Sequence, residues 1–295
     1  MRVNPNPMPD LLAALNHTRQ DTQDALLQMS TGRRVNQPSD DPAAAALLVQ
    51  NNDQATFTSR YLQSLNSVQG QFQTADSTLN SMVLALQRAL TLGVQGANGT
   101  LSDDDRVAIA GELQGIQDQL VSLANTAFQG RFLFAGTVTG APPFVKDNTL
   151  PSGVRYDGND AINSVQIGEG YRIAANKPGS QLFVAPGHDM FQAMTGLVQA
   201  MQTNTGFDAA VSSLRDAFDY VSGQRVFYGN SMNQAQAQST YLGNIKLQLS
   251  QEENTLGGAD IEAAASRLVN SQNATNATLA AIGRISQLSL FDYLK

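Results

Sequence analysis

Gly32-Arg-Arg-Val-Asn-Gln-Pro-Ser-Asp-Asp-Pro-Ala-Ala-Ala-Ala-Leu-Leu48 packs two arginines, two aspartates and two prolines into one short run. Such a run could be an acid–base or anion-binding loop, or a joint between helices. Asp41 stands directly before Pro42, and Ala43 to Leu48 behind it favour helix. An aspartate at the N-cap can accept a hydrogen bond from the first helical turn. A proline just after it loses nothing there, because that N–H has no intrahelical partner. Gly32 suits the end of a preceding helix. The run is therefore expected to be a structural joint built on Gly32, Asp40, Asp41 and Pro42. Both aspartates are expected to cap the following helix, with the arginines in the connecting loop.

Both flanks of the joint read as helix. Upstream, Pro5, Pro7 and Pro9 suit extended chain, and the first helix is expected to start at Asp10 and end at Thr31. Leu12, Leu15, Leu26 and Met29 mark its apolar face, interrupted by Arg19 and Thr22. Downstream, a long helix is expected from Pro42 to about Leu92. Its residues Leu65, Val68, Phe72, Ala75, Leu79, Met82, Leu86 and Ala89 recur at the three-four spacing of a coiled-coil seam. Gly93, Gly96 and Asn98-Gly99 are expected to break it. Ser102 followed by Asp103-Asp104-Asp105 is expected to start a third helix, which carries Ile109, Leu113, Ile116 and Leu120.

The pattern changes between about Thr137 and Asp189. Val154–Asp157, Val165–Ile167, Tyr171–Ile173 and Gln181–Val184 read as short strands, punctuated by Asp157-Gly158, Gly168-Glu-Gly170 and Pro178-Gly179. Helical spacing returns with Leu214, Val221, Tyr228, Ala235, Leu242 and Leu249, and Gly257-Gly258 ends it. Asp260 is placed to cap a last helix, in which Ile261, Ala264, Leu268, Ser271, Thr275, Thr278, Ile282 and Ile285 share one heptad frame. No charged residue falls between Arg267 and Arg284, so this helix needs a partner.

Helices that leave and return around a β insertion can pair antiparallel. The expected fold is mainly α: a long helical coiled-coil rod formed by N- and C-terminal segments, with a small inserted β-rich domain. Residues 1–31 and 257–295 would form a terminal assembly domain, 32–136 and 190–256 the helical rod, and 137–189 a self-contained, peripheral β module. The stripe Ile261, Leu268, Ile282 and Ile285, with Leu288, Leu290 and Phe291 beyond it, would be exposed in an isolated chain and covered on assembly.

Composition narrows the function classes. The net charge of −7 disfavours nucleic acid and anionic membrane surfaces as partners. There is no cysteine, which removes disulfides and thiolate metal sites. The first residues lack the apolar core of a secretory signal, and no apolar run reaches the roughly 20 residues of a membrane span. Only His17 and His188 are present, neither beside metal-ligand partners, and no nucleotide-binding or nucleophile-elbow motif occurs. No catalytic residue, cofactor or metal is expected, and Asp103–Asp105 reads as a helix start.

Ser30-Thr-Gly-Arg-Arg-Val-Asn-Gln-Pro-Ser-Asp-Asp-Pro42 resembles the N-terminal joint of the bacterial flagellin superfamily. Leu86-Gln-Arg-Ala-Leu90 resembles that family's next helical turn. Gly130-Arg-Phe-Leu-Phe-Ala-Gly136 and Ile285-Ser-Gln-Leu-Ser-Leu-Phe-Asp-Tyr-Leu294 resemble its hook–filament junction members, the filament subunit itself being the alternative. The resemblance implies a structural, non-enzymatic protein exported through the flagellar type III apparatus without a cleaved signal. It implies self-assembly into a tube between a neighbouring junction protein and flagellin, and a cytoplasmic export chaperone. The assembly and chaperone surface would be carried by Leu12, Leu15, Leu26, Met29, Ile261, Leu268, Ile282, Ile285, Leu288, Leu290 and Phe291.

Overall fold

The computed structural model describes residues 8–98 and 101–292, with 285–292 by backbone alone. The chain divides into two compact units, one from the chain up to residue 57 together with 245 onward, the other 58–244. Seven helices and eight short strands are described: α1 (Met8–Thr31), α2 (Pro42–Gly96), α3 (Asp103–Ala124), α4 (Gly179–Phe183), α5 (Met190–Thr203), α6 (Phe207–Gly257) and α7 (Ile261–Asp292) are the helices. The strands pair only as antiparallel hairpins: β1–β2 (Ala127–Phe128, Arg131–Phe132), β3–β4 (Phe144–Lys146, Val154–Tyr156), β5–β6 (Ser164–Gly168, Tyr171–Ala174) and β7–β8 (Val184–Ala185, His188–Asp189).

In the 58–244 unit the long-helix seam is where the periodicity places it. Leu65, Val68, Phe72, Ala75, Leu79, Met82, Leu86 and Ala89 are all buried in one hydrophobic core with Leu113 and Leu120 of α3 and Leu214, Val221 and Tyr228 of α6. Gly93 and Gly96 do not break α2. They lie in its last turn, where a Cβ on Gly93 would meet Leu197 and Val211 at 3.1 Å and one on Gly96 would meet Met201 at 2.1 Å. Both glycines lie against side chains of α5 and, at Gly93, of α6, so they pack within the helix end where a one-dimensional reading takes them for breakers. Ser102 caps α3 as expected, its Oγ accepting from Asp105 N at 3.2 Å.

The hairpins are not a peripheral module. Phe134, Phe144, Ile167, Ile173, Leu182 and Phe183 belong to the same core as the helices. Phe144 stands at its centre, with ring centroids 5.7 Å from Phe183, 5.4 Å from Phe191 and 5.0 Å from Tyr156. Asn125, just past α3, grips β3 twice: its Nδ2 donates to Phe144 O at 2.7 Å and its Oδ1 accepts from Phe144 N at 2.9 Å. The first hairpin also begins earlier than residue 137, at Ala127, turning through Gln129 and Gly130 with φ of 50° and 77°. Gln181–Phe183 is helix rather than strand, because Pro178 sets the α4 N-cap and Gly179 packs under Phe144, where a Cβ would lie 2.7 Å from its ring.

In the other unit α1 packs along α7. The first described residue of α1 is Met8, two residues before the expected start, and Pro9 sits in the first turn, where its missing N–H removes no bond.

Candidate functional site: the paired joints and terminal helices

The joint after α1 does not stand alone. Arg34 N donates to Gly257 O at 2.7 Å, and Ala259 N donates to Gly32 O at 2.9 Å, so the 32–41 joint pairs as an antiparallel bridge with the turn between α6 and α7. Gly32 turns the chain with φ of 67°, a left-handed geometry that a Cβ would strain. The arginines fasten this pairing. Arg33 reaches the Glu253 carboxylate at 2.5 Å, while Arg34 donates to Leu256 O at 2.8 Å and to Asp41 Oδ2 at 3.0 Å.

The two aspartates divide their work. Asp41 caps α2 as expected, its Oδ1 accepting from Ala44 N at 3.0 Å. Asp40 does not cap the helix. Its Oδ2 accepts from Asn36 N and Gln37 N, both at 2.9 Å, and so folds the loop back on itself. Consecutive residues point their side chains in different directions, so one helix end takes only one of them. Asp260 caps α7, accepting from Ala263 N at 3.0 Å. The arginine contacts across the chain were not legible in the sequence. Their partners lie 220 and 222 residues away, too far along the chain for any local pattern to mark them.

The Asp41 carboxyl is held below the usual carboxylate range, first by the Ala44 backbone N–H and then by the Arg34 side chain. A depressed folded-state value means that its stabilisation is present above the unfolded carboxylate value and is lost as pH falls through the folded one. Asp41→Ala should therefore lower the melting temperature at neutral pH, and the difference from the unmutated protein should close in acid. A difference that fails to narrow as pH falls would mean that Asp41 acts through packing rather than charge.

The terminal helices depart from the expected face. On α1 only Leu15 and Ala25 are buried, and Thr18 and Thr22 lie half-buried on the same side. These threonines do not interrupt the inner stripe; they are part of it. Thr22 Oγ1 donates to Ser271 Oγ at 3.0 Å, and Thr275 Oγ1 donates to Thr18 Oγ1 at 3.1 Å. On α7, Ala264 and Ser271 are buried, with Leu268, Thr275, Thr278 and Ile282 half-buried on that face. Leu268 and Ile282 of the α7 stripe are thus on the face turned toward α1 within one chain, not exposed. Leu12 and Leu26, each 49% exposed, with Met29 and Ile261, face outward. The side chains of Ile285, Leu288, Leu290 and Phe291 lie outside the described residues. Of the four residues read as the apolar face of α1, only Leu15 is buried in the seam, which hydroxyls otherwise fill.

His17 is exposed beside Asp21, and His188 stacks on Tyr220 at 4.7 Å. Among the described residues no cluster of three or more metal-ligating side chains occurs, and no helix is long and apolar enough to cross a membrane. Asp103 pairs with Arg106 and Asp105 accepts from Ser102 Oγ at 2.6 Å, in keeping with a helix start.

Residues 7–139 match the bacterial flagellin N-terminal helical region. The chain is 28% identical to flagellar hook-associated protein 3 of Escherichia coli over 294 residues, covering 91% of each chain. It is 38% identical to flagellar hook-associated protein 3 of Salmonella typhimurium over 157 residues, 53% of this chain and 48% of the relative. Polar flagellin B/D of Vibrio parahaemolyticus is 27% identical, with 84% of this chain and 67% of the flagellin covered. Among solved structures, a flagellar hook-associated protein from Vibrio parahaemolyticus superposes with a TM-score of 0.68 at 21% identity, covering 74% of this chain and all of its own. Bacillus cereus FlgL does so with a TM-score of 0.58 at 21% identity, over 70% of this chain and 99% of its own. With the mainly α fold, the helical seams and the joint in place, the chain is similar to flagellar hook-associated protein 3 over most of its length and to the flagellin N-terminal helical region over residues 7–139.

Proposed function

We propose that this chain is a structural adaptor of the bacterial flagellum, a subunit that self-assembles into a tube joining the hook to the flagellin filament. The observation that carries this reading is the match to hook-associated protein 3 along 91% of both chains. The filament-subunit reading is weaker, because a third of the matched flagellin has no counterpart here. In this proposal residues 1–31 and 257–295 act as the assembly domain. The outward Leu12, Leu26, Met29 and Ile261 meet neighbouring subunits, a preceding junction protein on one side and flagellin on the other. Export runs through the flagellar type III apparatus without a cleaved signal, with a cytoplasmic chaperone holding the C-terminal segment. Deleting the gene should leave hooks without filaments and shed monomeric flagellin into the medium, and the full-length chain should restore filaments. Normal filaments on the deletion strain would sink the proposal.

A further inference from the structure

In the 58–244 unit, α2 and α6 carry apolar stripes of a strict seven-residue period. On α2, Leu65, Phe72, Leu79 and Leu86 recur every seven residues, and so do Val68, Ala75, Met82 and Ala89. On α6, Leu214, Val221, Tyr228, Ala235 and Leu242 do the same, and all of these side chains are buried. The two helices run antiparallel. Phe72 stands edge-on to Tyr228 with ring centroids 6.1 Å apart, and Gln69 Nε2 donates to Gln236 Oε1 at 3.3 Å. Stripes of this kind leave the pairing undetermined by multiples of seven. Sliding α6 by seven residues, about 10 Å, again sets an apolar residue opposite each apolar one.

One polar contact does not repeat. Arg225 grips Asp76 with a forked pair of bonds, Nε to Oδ1 at 2.9 Å and Nη2 to Oδ2 at 3.1 Å. Its Nη1 donates to Asn80 Oδ1 at 3.0 Å. The Arg225 and Asp76 side chains are 35% and 25% exposed, so the pair is largely withdrawn from water. Asp76 is the only carboxylate of α2 after Asp53, and Arg215 and Arg225 are the only cations of α6 before Lys246. Seven residues to either side of Asp76 stand Gln69 and Val83, and seven to either side of Arg225 stand Phe218 and Met232. A seven-residue shift therefore leaves Arg225 without a carboxylate and sets Asp76 against an apolar side chain. It loses charge-assisted bonds where little water can replace them.

We infer that the clasp of Arg225 on Asp76 and Asn80 is the register determinant of the α2–α6 pair. The apolar stripes supply adhesion, and the clasp selects which of the seven-residue alternatives folds. Replacing a largely buried ion pair by apolar residues of similar size often leaves stability intact. What this pair contributes is therefore a choice among pairings rather than strength, the role that a lone polar residue plays in a coiled-coil seam. An exported chain has to make that choice when it refolds beyond its channel. That consequence rests on the function proposed above, whereas the register itself is a property of the isolated chain.

The absence of cysteine gives a direct test. Asn66 on α2 and Ser213 on α6 are exposed, so Asn66→Cys and Ser213→Cys can each carry one nitroxide label. Counted from the level of the Gln69–Gln236 contact, the two sites lie about 40 Å apart along the helix pair. The labelled full chain, refolded from urea, should give one distance by pulsed electron resonance. Adding Asp76→Leu and Arg225→Leu should keep the chain helical and bring in a second distance about 10 Å shorter or longer. Asp76→Arg with Arg225→Asp reverses the pair and should return the single distance. One unchanged distance in the leucine variant would overturn the inference, because Phe72 and Tyr228 would then suffice to set the register. A second distance that persists in the reversed pair would overturn it as well. So would loss of helicity in the leucine variant, which would make the pair a source of adhesion. All of these are read on the isolated chain, whereas filaments on the deletion strain would sink the adaptor function, so the two failures are distinguishable.

Discussion

Replacing residues 137–189 with a short Gly/Ser linker should abolish the cooperative melting of the 58–244 unit. The replacement removes Phe144, Ile167, Ile173, Leu182 and Phe183 from the core and uncovers Phe134 and Phe191. Fully burying one such side chain contributes about 1.5–3 kcal/mol, so the five together contribute about 7–15 kcal/mol. That equals the entire stability of an ordinary domain, about 5–15 kcal/mol. Phe144→Ala isolates the effect at one position. It should cost about 3–5 kcal/mol through the lost contacts and the cavity among Phe183, Phe191 and Tyr156. In a unit of this size that lowers the melting temperature by about 6–20 °C. Calorimetry of the full chain reads both. An unchanged transition after the linker replacement would show that the helices close their core without the hairpins.

The contrast between α2 and the hairpins shows what the residue order could disclose. The α2 seam was legible because a buried helical stripe repeats at a fixed interval over many turns, and every position from Leu65 to Ala89 in that stripe is buried. The turn at Gly168–Gly170 was legible from its own residues, and so were the caps at Asp41, Ser102 and Asp260, because those hydrogen bonds close within three residues. The shared core of hairpins and helices was not. It depends on contacts such as Phe144 with Phe191, or Gln71 Nε2 donating to Ala175 O at 3.0 Å across more than a hundred residues. Asp40 was misread for a related reason, since its partners lie before it in the loop rather than after it in the helix. The terminal helices were the hardest case. Their inward face mixes Leu15, Leu268 and Ile282 with small and hydroxyl residues, while Leu12 and Leu26 face outward, so neither face is the unbroken apolar stripe of a helix that packs only on its own chain.

The sparse apolar content of that mixed seam sets the outcome of Leu268→Asp, which should unpair α7 from α1 in the isolated chain while leaving the 58–244 unit folded. Read as an exposed stripe residue, Leu268 would tolerate the change. In the structure it is half-buried, one turn from the buried Ala264 and Ser271, on the face turned to α1. The seam has little else to hold it: Leu15 and Ala25 are the buried residues of α1, and each cross-helix hydroxyl bond contributes about 0.5–1.5 kcal/mol. A carboxylate at Leu268 loses about 1–2 kcal/mol of apolar burial and adds a desolvated charge with no cation on its own face. Helices of 24 and 32 residues with so few charges are marginal without a partner, so both should become susceptible to protease together. Circular dichroism should lose the contribution of α1 and α7, and limited proteolysis should trim the chain from both ends. The calorimetric transition of the 58–244 unit should remain, because none of its core residues belongs to either helix. Thr22→Leu combined with Ser271→Leu should do the opposite, converting a hydroxyl seam into an apolar one and slowing proteolysis of both ends. If Leu268→Asp leaves both ends as resistant as before, the α1–α7 seam is not what orders them. If the leucine pair leaves proteolysis unchanged, the hydroxyls do not set the weakness of the seam.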